Sequence, residues 1–272
     1  MKTKLIKNIN KVQGKYDVFF IDLWGVVHNG IKAYKGAIEV LKNLKKLNKR
    51  YVLMSNAPRP AVSVRNFLIK LKINKNLLNN IFTSGEAALQ SLNKNYYGKK
   101  FYHIGPQRDN ILFANFKKNK TSLKKADFIL CTGFFENYED SLVYYKNLLK
   151  KYIKIKMVCT NPDLIVHRGK KKEYCAGKIA EIFQEIGGKV IYFGKPHPEI
   201  YKFCMKKNEK ILVIGDNIRT DIKGANNMKL DSLLITKGIH AKDFLNLELK
   251  NYDKVLKKYK TKTNYYQKVL TW

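Results

Sequence analysis

Short apolar runs alternate with longer amphipathic stretches along most of the chain. The first run, residues 18–21, is too short for a helix and rich in β-branched and aromatic side chains, which predicts a strand buried on both faces. Further strands are predicted at 51–54, 81–83, 100–104, 127–131, 155–159, 189–193, 210–214 and 230–236. Helices are predicted at 34–49, 61–71, after 84–86, and at 138–151, 173–186 and 199–207. Such β-α alternation is typical of parallel sheets with right-handed crossovers.

The alternation indicates two α/β units, one inserted into the other. We expect residues 1–83 and 189–272 to form a doubly wound, Rossmann-like parallel sheet, and residues 84–188 to form the insert. The strand at 189–193 should return the chain to the first sheet, and the strand at 230–236 should close it. The last thirty residues are rich in Lys and Tyr with helical spacing, and nothing in them indicates a function.

The amino-acid composition favours a globular protein without a secretory signal or a membrane span. The 272 residues are 45% hydrophobic and 12% aromatic, which is enough to bury a core. Residues 1–16 lack the apolar segment of a secretory signal, and no run approaches the ~18 apolar residues of a membrane span. The four cysteines are widely spaced and form no Cys-x-x-Cys pair, which argues against zinc and disulfides and predicts a cytoplasmic protein.

The formal net charge of +33 raises the question of a nucleic-acid partner. Only six of the 54 basic residues are arginines, however, and arginine is the usual reader of bases and phosphates. The lysines are spread along the whole chain together with abundant Asn and Ile, residues that share AT-rich codons. The uniform distribution of lysines and the small number of arginines therefore disfavour nucleic-acid binding, which a salt titration of DNA and RNA binding would detect.

Polar residues follow four of the predicted strands: Asp22, Ser55 with Asn56, Lys195, and Asp216 with Asp221. Open α/β sheets build their active sites at the carboxyl ends of parallel strands. Each residue also has a local explanation, because Asp22 or Asp216 fits a turn, Ser55 fits a helix cap, and Lys195 is one of many lysines.

Taken together and in this order, these segments resemble the haloacid dehalogenase superfamily of aspartate-nucleophile phosphotransferases. The sequences of these motifs are similar to those of its class IIA (NagD-like) branch, and the resemblance covers roughly residues 15 to 240. The segments that carry the resemblance are Asp22-Leu23-Trp24-Gly25-Val26-Val27-His28-Asn29-Gly30, Thr83-Ser84-Gly85, Thr160-Asn161-Pro162-Asp163, Gly194-Lys195-Pro196-His197-Pro198 and Gly215-Asp216-Asn217 with Thr220-Asp221.

The resemblance implies a Mg²⁺-dependent hydrolase, a phosphatase acting on a small phosphorylated metabolite. Asp22 would attack phosphorus and form an aspartyl-phosphate. Mg²⁺ would lie between Asp22, the backbone carbonyl of Trp24 and Asp216, and Asp221 would support this metal site. The insert would be a cap of the C2 type.

The resemblance also implies how the phosphate is held. The Ser55 hydroxyl and the Asn56 backbone amide would bind phosphate oxygens, and Lys195 would neutralise the phosphate and keep Asp22 ionised. The cap loop residues expected to face the substrate are Asn161, Asp163 and His167.

One position departs from the family pattern. Its phosphatases carry a second Asp two residues after the nucleophile, which protonates the leaving group, whereas this chain has Trp24. An indole cannot replace that acid, because its N–H only donates. His28 is a candidate substitute. The alternative function is therefore a catalytically impaired protein that binds a phosphorylated ligand. The sequence does not identify the substrate, and it leaves a homo-oligomer open.

Overall fold

The computed structural model describes residues 3–138 and 141–272. Its strands are β1 (Lys4–Leu5), β2 (Val18–Asp22), β3 (Arg50–Ser55), β4 (Ile81–Thr83), β5 (Phe101–Ile104), β6 (Phe128–Cys131), β7 (Lys156–Cys159), β8 (Ile165–Arg168), β9 (Lys171–Tyr174), β10 (Val190–Tyr192), β11 (Ile211–Gly215), β12 (Asp231–Ile235) and β13 (Tyr265–Gln267). Its α-helices are α1 (Lys35–Lys46), α2 (Ala61–Lys70), α3 (Ser84–Asn93), α4 (Leu142–Leu149), α5 (Ala176–Glu185), α6 (Pro198–Lys202), α7 (Lys223–Asn227), α8 (Ala241–Phe244) and α9 (Tyr252–Lys258). Residues Gln107–Asn119 form an irregular 3₁₀ segment.

The first sheet has seven strands in the order β1-β13-β12-β11-β2-β3-β4, all parallel. Every residue of β2 is buried, as expected for a central strand covered on both faces. Leu41 of α1 and Leu68 of α2 pack on one face, and Ile200 and Tyr201 of α6 pack on the other. The predicted doubly wound parallel core is therefore confirmed.

The second sheet has four parallel strands in the order β10-β7-β6-β5. Helices α4 and α5 cover one face through side chains such as Tyr145 and Phe183. Helix α3 and the 107–119 segment cover the other face through Leu92 and Phe113. This second α/β layer is built from residues of the predicted insert, 84–188, together with β10.

Two predicted strand placements are wrong. Strand β10 pairs with β7, with Ile191 opposite Val158, so the chain returns to the first sheet only at β11. Strand β12 does not close the first sheet, because β13 pairs with it and β1 pairs with β13. An apolar run predicts that a segment is a strand but does not specify which strand it pairs with, and β1 and β13 are too short to give such a run.

The helix predicted at 173–186 begins later, at Ala176, because residues 171–174 form β9. Strands β8 and β9 make an antiparallel hairpin, with Ile165 opposite Tyr174 and Arg168 opposite Lys171. The helix predicted at 138–151 is present as α4, and residues 139–140 of that prediction lie outside the described residues. The C-terminal residues contain both α9 and β13.

Among the described residues, no helix combines the length and apolar character that a bilayer span requires. The division into a core, residues 1–83 and 189–272, and a cap, residues 84–188, stays a prediction. Because β10 belongs to the second sheet, we propose that the second junction lies after Phe193.

If the cap folds as its own unit, limited proteolysis should cut near its two junctions before it cuts inside. A protease of low specificity, such as subtilisin, suits the test because lysines are too dense for trypsin to discriminate. Mass spectrometry should identify an early, persistent fragment that spans roughly the second sheet. First cuts in the middle of 100–185 would contradict a separate cap.

Candidate active site

The three acidic residues predicted for the metal site lie together at one edge of the first sheet. Strands β2 and β11 are neighbours, with Ile21 opposite Ile214, so their carboxyl ends place Asp22 beside Asp216. Asp221 follows on a π-helical turn, Ile218–Ile222, and its Oδ2 accepts a hydrogen bond from the Asn217 amide at 3.0 Å. One carboxylate oxygen from each acid lies within 4.8 Å of the other two. The exposed fractions of the three residues are 9%, 4% and 1%.

The loop after β2 approaches Asp216 closely, and this requires a glycine. Gly25 has φ +87°, and a Cβ built there would lie 2.1 Å from Asp216 Oδ2. On the other side, the Ile239 amide donates a hydrogen bond of 2.6 Å to Asp216 Oδ2. The Asp216 carboxylate is therefore held from both sides by backbone.

Lys195 is buried against two of these acids. Its Nζ contacts Asp22 Oδ1 and lies 2.7 Å from Asp221 Oδ1, and it donates to the Met54 carbonyl at 3.2 Å. Lys195 follows β10 of the second sheet, so it does not end a strand of the core as predicted. The Asn56 side chain aligns the segment: its Oδ1 accepts from the Lys195 amide at 2.8 Å, and its Nδ2 donates to the Lys195 carbonyl at 3.0 Å.

The cluster carries more negative than positive charge. Burial raises the pKa of Asp22 to about 8, although the Lys195 ammonium opposes that rise. Burial, together with Asp22 and Asp221, raises the pKa of Asp216 well above its usual range. One ammonium does not balance three buried carboxylates, and their hard oxygen donors fit a divalent cation such as Mg²⁺.

Ser55 and Asn56 end the strand next to β2, with Met54 opposite Asp22. The Ser55 Oγ accepts a hydrogen bond from the Ala57 amide at 3.1 Å, which leaves its hydroxyl proton for a ligand. Both residues line a cavity of about 440 Å³ that also exposes Asp22 and Asp216. That volume is in the range of small-molecule sites.

Comparison with known proteins shows to which family the chain belongs. Residues 19–117 match the model of the haloacid dehalogenase-like hydrolases, and residues 192–261 match a HAD-hydrolase-like model. The chain belongs to the haloacid dehalogenase superfamily. A haloacid dehalogenase-like hydrolase from Brucella suis 1330 superimposes with a TM-score of 0.86 at 27% identity, covering 98% of this chain and 100% of the other.

One further relative points to the NagD-like class IIA branch of the superfamily, and another protein shares the fold. The ribonucleotide monophosphatase NagD of Escherichia coli K12 is 25% identical over 228 residues, which cover 82% of this chain and 88% of NagD. A 4-nitrophenylphosphatase from Thermotoga maritima shares the fold with a TM-score of 0.69 at 23% identity, covering 93% of this chain and 94% of the other. The predicted superfamily and fold are confirmed.

Trp24, which stands where phosphatases of the superfamily carry the second Asp, connects the core to the cap hairpin. Its Nε1 donates a hydrogen bond of 2.9 Å to the His167 carbonyl. The indole lies parallel to the Phe67 ring, with centroids 6.4 Å apart, and the Arg168 guanidinium carbon lies 5.2 Å from the indole centroid. Trp24 therefore holds the β8–β9 hairpin next to the loop that follows Asp22.

His28 is poorly placed to replace the missing acid. Its ring is buried edge-on to Trp24, with centroids 5.0 Å apart, and is not among the described residues that line the cavity. Its Nδ1 accepts a hydrogen bond from the Gly30 amide at 2.9 Å. Burial, helped by the Arg168 charge, lowers the pKa of His28 to about 4, so the imidazole is neutral at physiological pH.

Of the three predicted cap loop residues, Asn161 and Asp163 line the cavity, whereas His167 contributes its carbonyl to Trp24. The Asp163 Oδ1 accepts hydrogen bonds from Asn56 Nδ2 at 3.1 Å and from Asn217 Nδ2 at 3.5 Å. Burial raises the pKa of Asp163 to about 6, against the opposing effect of Lys195.

The sequence reasoning missed three arginines that line the same cavity: Arg59, Arg108 and Arg168. Arg59 lies four residues after Ser55, on the loop that leads into α2, whereas Arg108 lies in the 107–119 segment and Arg168 ends β8. A signal for Arg168 was present, because Gly169 separates two four-residue stretches that suit a hairpin. No signal in one sequence would place Arg108 near Ser55.

Proposed function

We propose that the protein is a Mg²⁺-dependent phosphatase that hydrolyses a small phosphorylated metabolite through an aspartyl-phosphate on Asp22. The observation that carries this proposal is the Asp22–Lys195 contact beside Asp216, with both aspartates lining the cavity. The names of the relatives support it, since they are a ribonucleotide monophosphatase and a 4-nitrophenylphosphatase. The four cysteines are free and buried, which supports a cytoplasmic location.

In the proposed first step, a carboxylate oxygen of Asp22 forms a bond to phosphorus as the bond from phosphorus to the leaving oxygen breaks. In the second step, water attacks the phosphorus of the aspartyl-phosphate, which releases phosphate and restores Asp22. Lys195 and the Ser55 hydroxyl offset and orient the phosphoryl charge. In both steps Asp22, Lys195 and Ser55 position the reacting groups.

The carboxylates of Asp22 and Asp216 and the Trp24 carbonyl would hold Mg²⁺, with Asp221 in support. When bound, the ion supplies positive charge that offsets repulsion between the Asp22 carboxylate and an anionic phosphate ester. The experiment that tests the function is a screen of phosphorylated metabolites with Mg²⁺, scored by phosphate release.

The alternative function is a protein that binds a phosphorylated ligand and turns it over slowly or not at all. Trp24 is the observation that favours it, because the indole occupies the position of the general acid and is engaged with the cap hairpin. Binding of a phosphorylated ligand without phosphate release in the screen would support this alternative.

Mg²⁺ affinity should depend on Asp216. Asp216→Asn keeps the side-chain volume but removes one of the buried carboxylate charges, so we expect Mg²⁺ affinity measured by calorimetry to fall at least ~10-fold. Asp243→Asn, which makes the same change at a half-exposed position, is the matched control and should leave affinity unchanged. Unchanged Mg²⁺ affinity in the folded Asp216 variant would mean that the metal site is misplaced.

A further inference from the structure

Basic side chains from the 107–119 segment, the β8–β9 hairpin and the loop after Ser55 line the same cavity. Outside the cluster of Asp22, Asp216 and Asp221, five basic and three acidic residues line the cavity in the described part of the chain. The basic residues are Arg59, Arg108, Arg168, Lys171 and Lys172, and the acidic ones are Asp109, Asp163 and Glu173. Half of the chain's six arginines are therefore found in one cavity, whereas its lysines are spread over the whole sequence.

We propose that Arg59, Arg108 and Arg168 form a subsite for a second anionic group, a carboxylate or a phosphate, at the end of the substrate remote from the transferred phosphoryl group. This inference rests on the proposed function and specifies its substrate class. The guanidinium group suits such a ligand, because its planar donors match both carboxylate and phosphate in a bidentate geometry.

The contacts of two of these arginines leave their terminal nitrogens available. Arg168 Nε donates to Glu173 Oε1 at 3.0 Å, and Arg59 Nε lies 3.3 Å from Asp109 Oδ1. Among the described residues, no hydrogen bond involves the terminal nitrogens of either guanidinium. Arg108 makes no ion pair in the described part of the chain, and the carboxylate that interacts with its charge, Asp109, is shared with Arg59.

Arg59 Nε is a buried donor without a hydrogen-bond acceptor among the described residues. Although its Nε is near Asp109 Oδ1, the geometry is not that of a hydrogen bond, and both atoms are buried without a hydrogen-bond partner among the described residues. A buried donor without a partner is costly, and a bound ligand or a rearrangement that it induces would satisfy it.

Arg108 and Arg168 are each close enough to Arg59 to repel its charge. Burial lowers the pKa of Arg59, Asp109 opposes that effect, and the charges of Arg108 and Arg168 add to the lowering. Like charges gathered in a partly enclosed cavity destabilise the protein unless an anion offsets them. Because Arg59 lies on the loop into α2, Arg108 in the 107–119 segment and Arg168 at the end of β8, a bound anion would contact three separate segments.

The arginine subsite is linked to the nucleophile loop. Arg168 lies over the indole of Trp24, two residues after Asp22, and the Gly169 amide donates to the Asn29 carbonyl at 3.0 Å. The residue that replaces the general acid therefore helps to place an anion-binding side chain. In this chain the change at position 24 acts on substrate recognition as well as on proton transfer.

Three non-hydrolysable ligands with the same carbon chain test the subsite: propylphosphonate, 3-phosphonopropanoate and propane-1,3-diphosphonate. Calorimetry with Mg²⁺ and the full chain measures their affinities without any turnover. We expect one or both doubly functionalised ligands to bind about 10- to 100-fold more tightly than propylphosphonate, and the preferred one identifies the second anion. Arg59→Gln, Arg108→Gln and Arg168→Gln should each remove most of that preference while changing propylphosphonate affinity less than about 3-fold.

Arg219→Gln is the matched control, because Arg219 is exposed, lies over Tyr259 and does not line the cavity. It removes the same charge and should leave the preference intact. Equal affinity for all three ligands would overturn the subsite but not the phosphatase proposal, and so would arginine variants that weaken propylphosphonate as much as the others. If propylphosphonate itself fails to bind with Mg²⁺, the phosphate pocket is wrong and both proposals fall.

Discussion

Asp22→Asn should abolish turnover on every phosphate ester tested, by a factor of about 10⁴ or more in kcat. An amide oxygen is a poor nucleophile, and the variant cannot form the aspartyl-phosphate through which the proposed reaction runs. The effect should be independent of the leaving group, because the nucleophile is needed for good and poor leaving groups alike. Phosphate release from p-nitrophenyl phosphate and from an alkyl phosphate would measure it.

The structure indicates that this variant should fold. Lys195 keeps its 2.7 Å ion pair with Asp221, so removing the Asp22 charge does not leave a buried ammonium unpaired. Asp17→Asn, at the other end of the same strand segment, is a matched control that should retain activity. Turnover of the purified, folded Asp22 variant within 10-fold of the unmodified protein would mean that water attacks the ester directly or that another residue is the nucleophile.

The strands of both sheets were largely predictable because buried parallel strands are continuous apolar runs. Each of the nine predicted strands is present to within one residue at either end. The missed strands lack that signal: β8 and β9 form a hairpin with a mixed, partly polar sequence, and β1 and β13 have two and three residues. Which strands pair with each other was less predictable, since β10 is apolar enough to lie in either sheet.

The acidic half of the site was predictable because its residues follow strands directly. Asp22 and Asp216 meet wherever β2 and β11 are adjacent, and the family motifs specify that adjacency. Lys195 reaches the same place from the second sheet, a path that strand periodicity does not indicate. The arginines depend on loop conformations and on how the cap hairpin packs against Trp24, which are tertiary properties that local sequence does not encode.

Activity should depend on the leaving group far more than in relatives that keep the second Asp. An alkoxide needs a proton as its bond to phosphorus breaks, and losing a general acid commonly costs ~10²–10⁴ in rate, or about 3–5 kcal/mol of barrier. A phenolate or acylate departs unaided. We therefore expect p-nitrophenyl phosphate or acetyl phosphate to be hydrolysed measurably, and sugar phosphates and nucleoside monophosphates slowly.

Trp24→Asp should raise kcat on alkyl phosphates if the missing acid is the cause. The structure adds that the same change removes the hydrogen bond to the His167 carbonyl and the ring under Arg168, so KM should rise as well. Trp24→Phe is the matched control, because it keeps an aromatic ring, supplies no acid and should not raise kcat.

In the unmodified protein, the ratio of kcat on p-nitrophenyl phosphate to kcat on an alkyl phosphate shows whether the leaving oxygen receives a proton from another group. A ratio near one, with fast turnover of both esters, would mean that another group supplies the proton. Asp163 would then be the residue to change first, because it lines the cavity and accepts a hydrogen bond from Asn56, whereas His28 is buried and neutral. Asp163→Asn would in that case slow the alkyl ester selectively. No turnover of either ester, with phosphonate ligands still bound, would instead favour the binding protein, because Trp24 would then have removed catalysis while the phosphate pocket of Ser55, Asn56 and Lys195 persisted.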